Sequence, residues 1–288
     1  MQEFDLHRPK TVAEALDLLA EFGAEARVLA GGTDLMLALR ARPGLKLKTI
    51  VDLSGLVELS FIREEGDLVK LGPLTTMARV AQSPLIASRA GLLAAAAAAV
   101  GSPQIRNRGT IGGNVANAAV CADTVPPLVA LEAQVKLERR GGERWLSLPD
   151  FITGPNRTVL EPGELLTEIA FTRLPAKAGW GFMRLARRQA MAIARLNVAV
   201  VLDRDGEGVV TAARISPGAV LARPGRIAAA EEVLLGRRPD PALISRAAAQ
   251  VGDALAAAGR RWSTPYKEPA ITALTERAIK QALEVDWR

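Results

Sequence analysis

Residues 101–123 read GSPQIRNRGTIGGNVANAAVCAD, and the rest of the chain is organised around this stretch. Gly109, Gly112 and Gly113 remove side chains where a backbone must turn tightly or approach something closely. Thr110, Asn114, Asn117 and Asp123 set short polar groups among them. The next ten residues, TVPPLVALEA from Thr124 to Ala133, predict a helix with prolines in its first turn and Asp123 as its N-cap. A glycine-rich turn feeding a helix can bind an anion through backbone N–H groups. Residues 30–34, AGGTD, have the same character. Two such loops in one chain point to a ligand with two phosphates.

Working outward, Thr11 to Phe22 predicts an amphipathic helix. Thr11 and Glu14 form a capping box, Val12, Ala15, Leu16, Leu19 and Phe22 share a face, and Gly23 ends it. Arg27 to Ala30 is a short strand that runs into Gly31-Gly32. Thr33 or Asp34 caps a helix from Leu35 to Ala41, Pro43-Gly44 stops it, and Thr49 to Leu53 is the next strand. The glycine loop thus lies at the carboxyl end of a strand, where α/β sheets bind ligands. Neither a G-x-G-x-x-G nor a G-x-x-x-x-G-K-[ST] pattern occurs, so this is not a Rossmann fingerprint or a P-loop.

Beyond Leu56 the pattern becomes antiparallel. Leu59–Arg63 and Leu68–Leu71 make a hairpin, and so do Val135–Glu138 and Arg144–Ser147 across Gly141-Gly142. Short helices start at Thr75 or Thr76 and at Pro84, an alanine-rich helix spans Leu92 to Val100, and Leu165 to Phe171 is a strand. From Ala176–Gly179 onward the strands Phe182–Leu185, Ala194–Leu202 and Val209–Ile215 precede three alanine-rich helices: Arg226–Leu235, Pro241–Ala258 and Pro269–Leu283. Three strands followed by three helices make an α+β layer. Asp203, Asp205 and Glu207 lie in the loop joining the last two strands. They lack the full EF-hand pattern and read as a solvated hairpin.

Composition excludes several functions. The chain has 288 residues, 49% of them hydrophobic, which is enough for two or three packed units. One cysteine, Cys121, rules out an internal disulfide and any cysteine-ligated zinc or iron–sulfur site of its own. One histidine, His7, removes histidine-rich metal sites and Ser/His/Asp triads. The net charge is +6, but the arginines are scattered and only one Tyr and six Phe are available for base stacking, so a solvated surface is expected, not a nucleic-acid site. Met1 to Pro9 has no apolar h-region and no apolar run is long enough to span a bilayer, which points to a soluble, cytoplasmic protein. His7 reads as a structural residue and Cys121 as a small buried hydrophobe.

The motifs together resemble one family. Phe4 with His7-Arg8-Pro9 and the Glu14-Ala15 helix match its opening, Ala30–Asp34 its first flavin loop and Ile105–Asn114 its second. Arg187-Arg188 with Ala190-Met191-Ala192-Ile193 match the start of its last domain. The chain resembles the FAD-binding (medium) subunit of the molybdenum hydroxylases, the family of carbon-monoxide dehydrogenase, 4-hydroxybenzoyl-CoA reductase and bacterial xanthine dehydrogenase. The resemblance implies an α+β protein. Its vanillyl-alcohol-oxidase-like (PCMH-type) FAD-binding fold has two subdomains, 1–55 and 56–176, and a C-terminal α+β domain, 177–288, has three antiparallel strands and three helices.

It also implies site residues. Ala30, Gly31, Gly32, Thr33 and Asp34, with Thr110, Ile111, Gly112, Gly113 and Asn114, would hold the FAD pyrophosphate without a covalent bond. Asp123 would meet the ribityl or ribose hydroxyls as well as cap its helix. Leu165 and Arg184 stand at further flavin contacts, and Val100 stands where some relatives place an aromatic. The implied partners are a small 2Fe–2S subunit and a large molybdopterin subunit in a dimer of heterotrimers, with no catalytic or metal residue in this chain. A stand-alone FAD-dependent oxidoreductase of the same fold is the alternative, and a cofactor-free basic protein is a third reading.

Overall fold

The computed structural model describes residues 4–41, 47–188, 191–259 and 263–284. The expected helix stop at Pro43-Gly44 and the motif residue Ala190 lie outside the described residues. The chain opens with β1 (Asp5–His7), α1 (Val12–Phe22), β2 (Ala26–Leu29), α2 (Leu35–Ala41) and β3 (Thr49–Asp52). These strands form a parallel sheet in the order β1-β3-β2. The capping box forms with one shift. The Thr11 hydroxyl accepts the Glu14 N–H at 3.1 Å, while the Glu14 carboxylate takes the N–H of Lys10, at 2.7 Å, instead of that of Thr11. Ala15, Leu16 and Leu19 then join Val51, Leu53 and Leu56 in a small core. His7 is structural, its ring 5.4 Å from that of Phe22.

The second sheet begins with β4 (Ile62–Glu65) and β5 (Leu68–Leu71). Six helices intervene: α3 (Met77–Gln82), α4 (Pro84–Arg89), α5 (Gly91–Ala99), α6 (Pro103–Arg108), α7 (Ile111–Asn117) and α8 (Val125–Ala130). Then follow β6 (Gln134–Arg139), β7 (Gly142–Ser147), α9 (Leu148–Phe151), a two-stranded ribbon of β8 (Ile152–Gly154) and β9 (Arg157–Thr158), and β10 (Leu165–Thr172). The antiparallel order is β4-β5-β10-β6-β7, so β10 is central. Leu165 to Phe171 are all buried, which is why that strand reads as a continuous run and not as an alternation.

Residues 101–123, expected to be an irregular loop, contain two short helices. Ser102 caps α6, with Pro103 at its first position, and Thr110 caps α7. The glycines concealed this, since glycine is a poor helix former. The capping hydroxyls and tertiary bonds outweigh that propensity: Ile111 N–H donates to Thr75 at 2.9 Å and Gly112 N–H to Pro73 at 2.9 Å.

The last sheet is β11 (Gly179–Ala186), β12 (Ala194–Arg204) and β13 (Val210–Gly218), antiparallel with β12 central. It is followed by α10 (Ala228–Leu234), α11 (Pro241–Ala257) and α12 (Thr264–Glu284). Helix α12 begins five residues before the expected start and carries Pro269 inside it. Along β12, Leu196, Val198, Val200 and Leu202 enter the core with these helices, while Ala199 and Val201 enter the core of the preceding unit. Side chains alternate across a strand, so this sheet is a wall shared by two cores. Asp203 pairs with Arg214 at 3.0 Å, and Asp205 accepts the N–H groups of Glu207 and Val209. Among the described residues, no cluster of three or more metal-ligating side chains occurs and no helix is long and apolar enough to cross a membrane.

One buried ion pair secures the turn into β10. Arg144 donates to both carboxylate oxygens of Glu164 at 2.8 Å, and the Glu161 N–H adds a third bond at 2.9 Å. Burial alone would raise the Glu164 carboxyl, but these donors hold it below the usual carboxylate range. Such a group contributes stability above its unfolded pKa, and that contribution is lost as pH falls through the folded value. Glu164→Gln should therefore cost about 1–2 kcal/mol at neutral pH, moderated by the partial exposure of Arg144. The difference should vanish in acid, as checked by urea denaturation of both proteins at neutral and acidic pH.

Candidate functional site

The two glycine segments are brought together by direct backbone contact. A Cβ on Gly31 would lie 2.0 Å from the Arg108 carbonyl oxygen and 3.0 Å from Cα of Gly109, so only glycine permits the approach. Thr33 lies against Gly109 from the same side. Gly32 has φ +76°, in the left-handed region that a branched residue resists. Behind this junction, Met77 N–H donates to Gly109 at 2.9 Å, and Thr76 bridges to Thr110.

The two segments present different chemistry. The N–H groups of Gly31, Gly32, Thr33 and Asp34 donate to none of the described residues. Those of Ile111, Gly112, Gly113 and Asn114 are already used, by Thr75, Pro73, the Thr110 hydroxyl at 3.1 Å and the Thr110 carbonyl. Free donors belong to the first segment, because the second spends its own in forming α7. What the second offers is a bare surface at Gly113, where a Cβ would meet only the Thr110 hydroxyl at 2.9 Å, and the Asn114 amide nitrogen, which donates to no described residue. The Ile111 side chain is wholly buried in the core and faces no ligand space.

From α7 the seam continues to Asp123. The Thr124 hydroxyl donates to Asn114 Oδ1 at 2.7 Å. Thr124 is the N-cap residue of α8 but makes no side-chain cap bond, and Asp123 does not cap it either. The Asp123 carboxylate turns away, because two donors from the last sheet claim it. Arg184 Nε reaches Oδ1 at 2.9 Å and Asn197 Nδ2 reaches the same oxygen at 3.0 Å. Oδ2 accepts nothing from the described residues. Burial raises the Asp123 carboxyl, and the bonds from Arg184 and Asn197 oppose that rise. Arg184 also donates through Nη2 to the Ala192 carbonyl. It is therefore not a surface strand residue.

Cys121 lies in the same neighbourhood. It is half-buried, not the fully buried hydrophobe expected, and burial pushes its thiol up, as do the charges of Asp123 and Asp34. Leu165 opens β10, the strand that packs beside α7. It is 4% exposed and belongs to the core of Ala15, Leu19, Val51 and Leu56. Asn197 escaped the sequence reading, although a lone amide inside the apolar run LNVAVVL was a visible signal.

A dinucleotide with a pyrophosphate needs free N–H donors on an unobstructed backbone, and its hydroxyls need an acceptor. Gly31–Asp34 supply the donors, Gly113 the open surface and Asp123 Oδ2 the acceptor, so the residues present fit FAD. The comparisons give the family. Residues 2–175 match the model of the FAD binding domain in molybdopterin dehydrogenase, and residues 181–282 that of the CO dehydrogenase flavoprotein C-terminal domain. The carbon monoxide dehydrogenase medium chain of Hydrogenophaga pseudoflava is 32% identical, with 99% of this chain and 97% of that one aligned. The nicotinate dehydrogenase FAD-subunit of Eubacterium barkeri is 36% identical over 82% of this chain and 81% of its own. The structure of reconstituted CO dehydrogenase from Oligotropha carboxidovorans superposes with a TM-score of 0.91, covering 98% of both chains at 32% identity. This chain belongs to the family of FAD-binding flavoprotein subunits of molybdopterin dehydrogenases, which are oxidoreductases.

Proposed function

We propose that this chain is the electron-transfer subunit of a multi-subunit molybdenum hydroxylase, carrying electrons between a small 2Fe–2S subunit and an external acceptor. A large molybdopterin subunit completes the complex, doubled into a dimer of heterotrimers. The chain is read as a vanillyl-alcohol-oxidase-like (PCMH-type) FAD fold in subdomains 1–55 and 56–176, followed by a C-terminal domain, 177–288. The observation that carries this reading is the seam itself: four N–H groups with no acceptor among the described residues, a bare glycine and a half-engaged carboxylate.

FAD, when bound, supplies both one- and two-electron redox chemistry, and the protein supplies position and electrostatics. Gly31, Gly32, Thr33 and Asp34 bind the pyrophosphate, and Thr110, Gly113 and Asn114 line its far side. Asp123 accepts from the sugar or ribityl hydroxyls. Each hydrogen bond to the charged pyrophosphate contributes about 1.5–3 kcal/mol, which is why glycines suffice without lysines. Leu165, whose side chain is enclosed in a core, would meet the flavin through its backbone.

Cys121 alone cannot ligate an iron–sulfur cluster, which takes four cysteines, so electrons enter or leave through another chain. Turnover measurements on the FAD-loaded chain should therefore show no substrate-dependent reduction with organic substrates, and the native complex should show it. Turnover by the isolated, metal-free chain would overturn the subunit reading and favour a stand-alone flavin oxidoreductase.

A further inference from the structure

Asp123 binds toward the flavin site from one matched segment, residues 2–175, while both of its donors come from the other, residues 181–282. Arg184 carries a charge and half-reaches the surrounding loop through Ala192. Asn197 carries none, yet it is wholly buried in the centre of β12 among valines and alanines. A carboxylate only accepts hydrogen bonds, so the amide must turn its nitrogen to Asp123. Its oxygen is thereby forced toward Gly218, its ladder partner on β13. A Cβ on Gly218 would sit 1.9 Å from that oxygen and 3.0 Å from Cγ, so the amide is wedged against bare backbone. The Asn197 Oδ1 has no hydrogen-bond partner among the described residues. A buried amide oxygen without a donor lowers stability, and an isosteric leucine would suit this apolar strand better. The fold thus keeps a locally unfavourable group whose one bond goes to Asp123.

We infer that Asn197 is a positioning residue for the flavin: with Arg184 it occupies Oδ1 of Asp123, fixes the carboxylate plane, and leaves Oδ2 as the acceptor for a ligand hydroxyl. The inference rests on the FAD reading above. Its consequence is that FAD affinity depends on the contact between the two matched segments and not on residues 2–175 alone. Titratable and charged groups around the carboxylate are few. Arg184 approaches from β11, and the charge of Asp123 in turn reaches the Cys121 thiol in the neighbouring loop.

Two variants of the full chain test this, Asn197→Leu and Asn197→Asp, each titrated with FAD by flavin fluorescence and melted without FAD. Asn197→Leu removes the orphaned oxygen as well as the donor. It should melt no lower than wild type and yet bind FAD about tenfold more weakly, the scale of one hydrogen bond to a charged group. A purely structural residue would move stability and affinity together. Asn197→Asp puts two carboxyls side by side, which share a proton at low pH. The protonated one can donate as the amide did. As pH rises the proton leaves, the donor is lost and the charges repel. Its affinity relative to wild type should therefore fall as pH rises and the shared proton is lost. Wild-type affinity in Asn197→Leu would overturn the inference and leave FAD binding intact. So would a pH-independent ratio in Asn197→Asp, which decides the matter if the leucine variant does not fold. Failure of wild type itself to take up FAD would instead bring down the flavin reading on which the inference rests.

Discussion

Gly31→Ala should leave the protein unable to hold FAD, and no other single methyl group should do as much. The added Cβ falls 2.0 Å from the Arg108 oxygen, 2.7 Å from its carbonyl carbon and 3.0 Å from Cα of Gly109. All three are backbone atoms, so no rotamer change relieves the clash, and the Gly31–Asp34 segment must lift off α6 and α7. Overpacking of this kind costs roughly 1–3 kcal/mol of stability. The effect on the ligand is larger, because the free N–H groups move together. Losing two of those bonds to the pyrophosphate, at about 1.5–3 kcal/mol each, weakens FAD by two orders of magnitude or more. Gly113→Ala is the control. Its Cβ meets only the Thr110 hydroxyl, so stability should drop by at most the value of a helix cap, about 1 kcal/mol, while FAD affinity still falls. Equilibrium titration with FAD and thermal melting separate the two effects. If Gly31→Ala kept wild-type affinity, the first segment would not be the phosphate site.

The second large effect is expected at Arg184. Its side chain is 11% exposed and that of Asp123 is 7% exposed, so Arg184→Leu strands a buried carboxylate. Removing one partner of a buried pair costs about 3–5 kcal/mol. The pH dependence has a definite sign. Burial already raises the Asp123 carboxyl, and without Arg184 it rises further. A group whose folded pKa lies above its unfolded value contributes stability below the unfolded pKa, and that contribution is lost as pH rises through the folded one. Arg184→Leu should therefore be closest to wild type in acid, with the deficit widening toward neutral and alkaline pH. Urea denaturation across pH measures it. The double variant Arg184→Leu/Asp123→Leu should regain part of the stability and none of the FAD affinity, which distinguishes lost packing from a lost acceptor.

What could be read from the sequence was local. The Thr11 cap, the strand running into Gly31-Gly32, and the hairpins across Gly141-Gly142 and residues 204–208 depend on neighbours a few positions apart, and they formed as read, with the Glu14 half of the capping box shifted to Lys10. The site was legible as two glycine segments with Asp123 beyond them. Three things were not. Residues 103–108 and 111–117 are helical because hydroxyl caps and bonds to residues 73–77 outweigh glycine's low propensity, and those partners are distant in sequence. Asp123 looked like a cap because a local cap is the default for Asp before Thr-Val-Pro-Pro. Arg184 and Asn197, separated from it by 61 and 74 positions, claim the carboxylate instead. The enclosure of the Leu165 side chain was the third, since it follows from the central placement of β10. Propensity and capping are short-range quantities, and the competition between two acceptors or two cores is decided by tertiary structure.

The central claim is that one seam, from Gly31 through Gly113 to Asp123, holds FAD. The most direct test is a titration of the flavin-free full chain with FAD, followed by absorbance and by quenching of flavin fluorescence. The account predicts saturation at one FAD per chain with perturbed flavin bands, and loss of that saturation in Gly31→Ala. A correctly folded wild-type chain that stays colourless and takes up no FAD would contradict it.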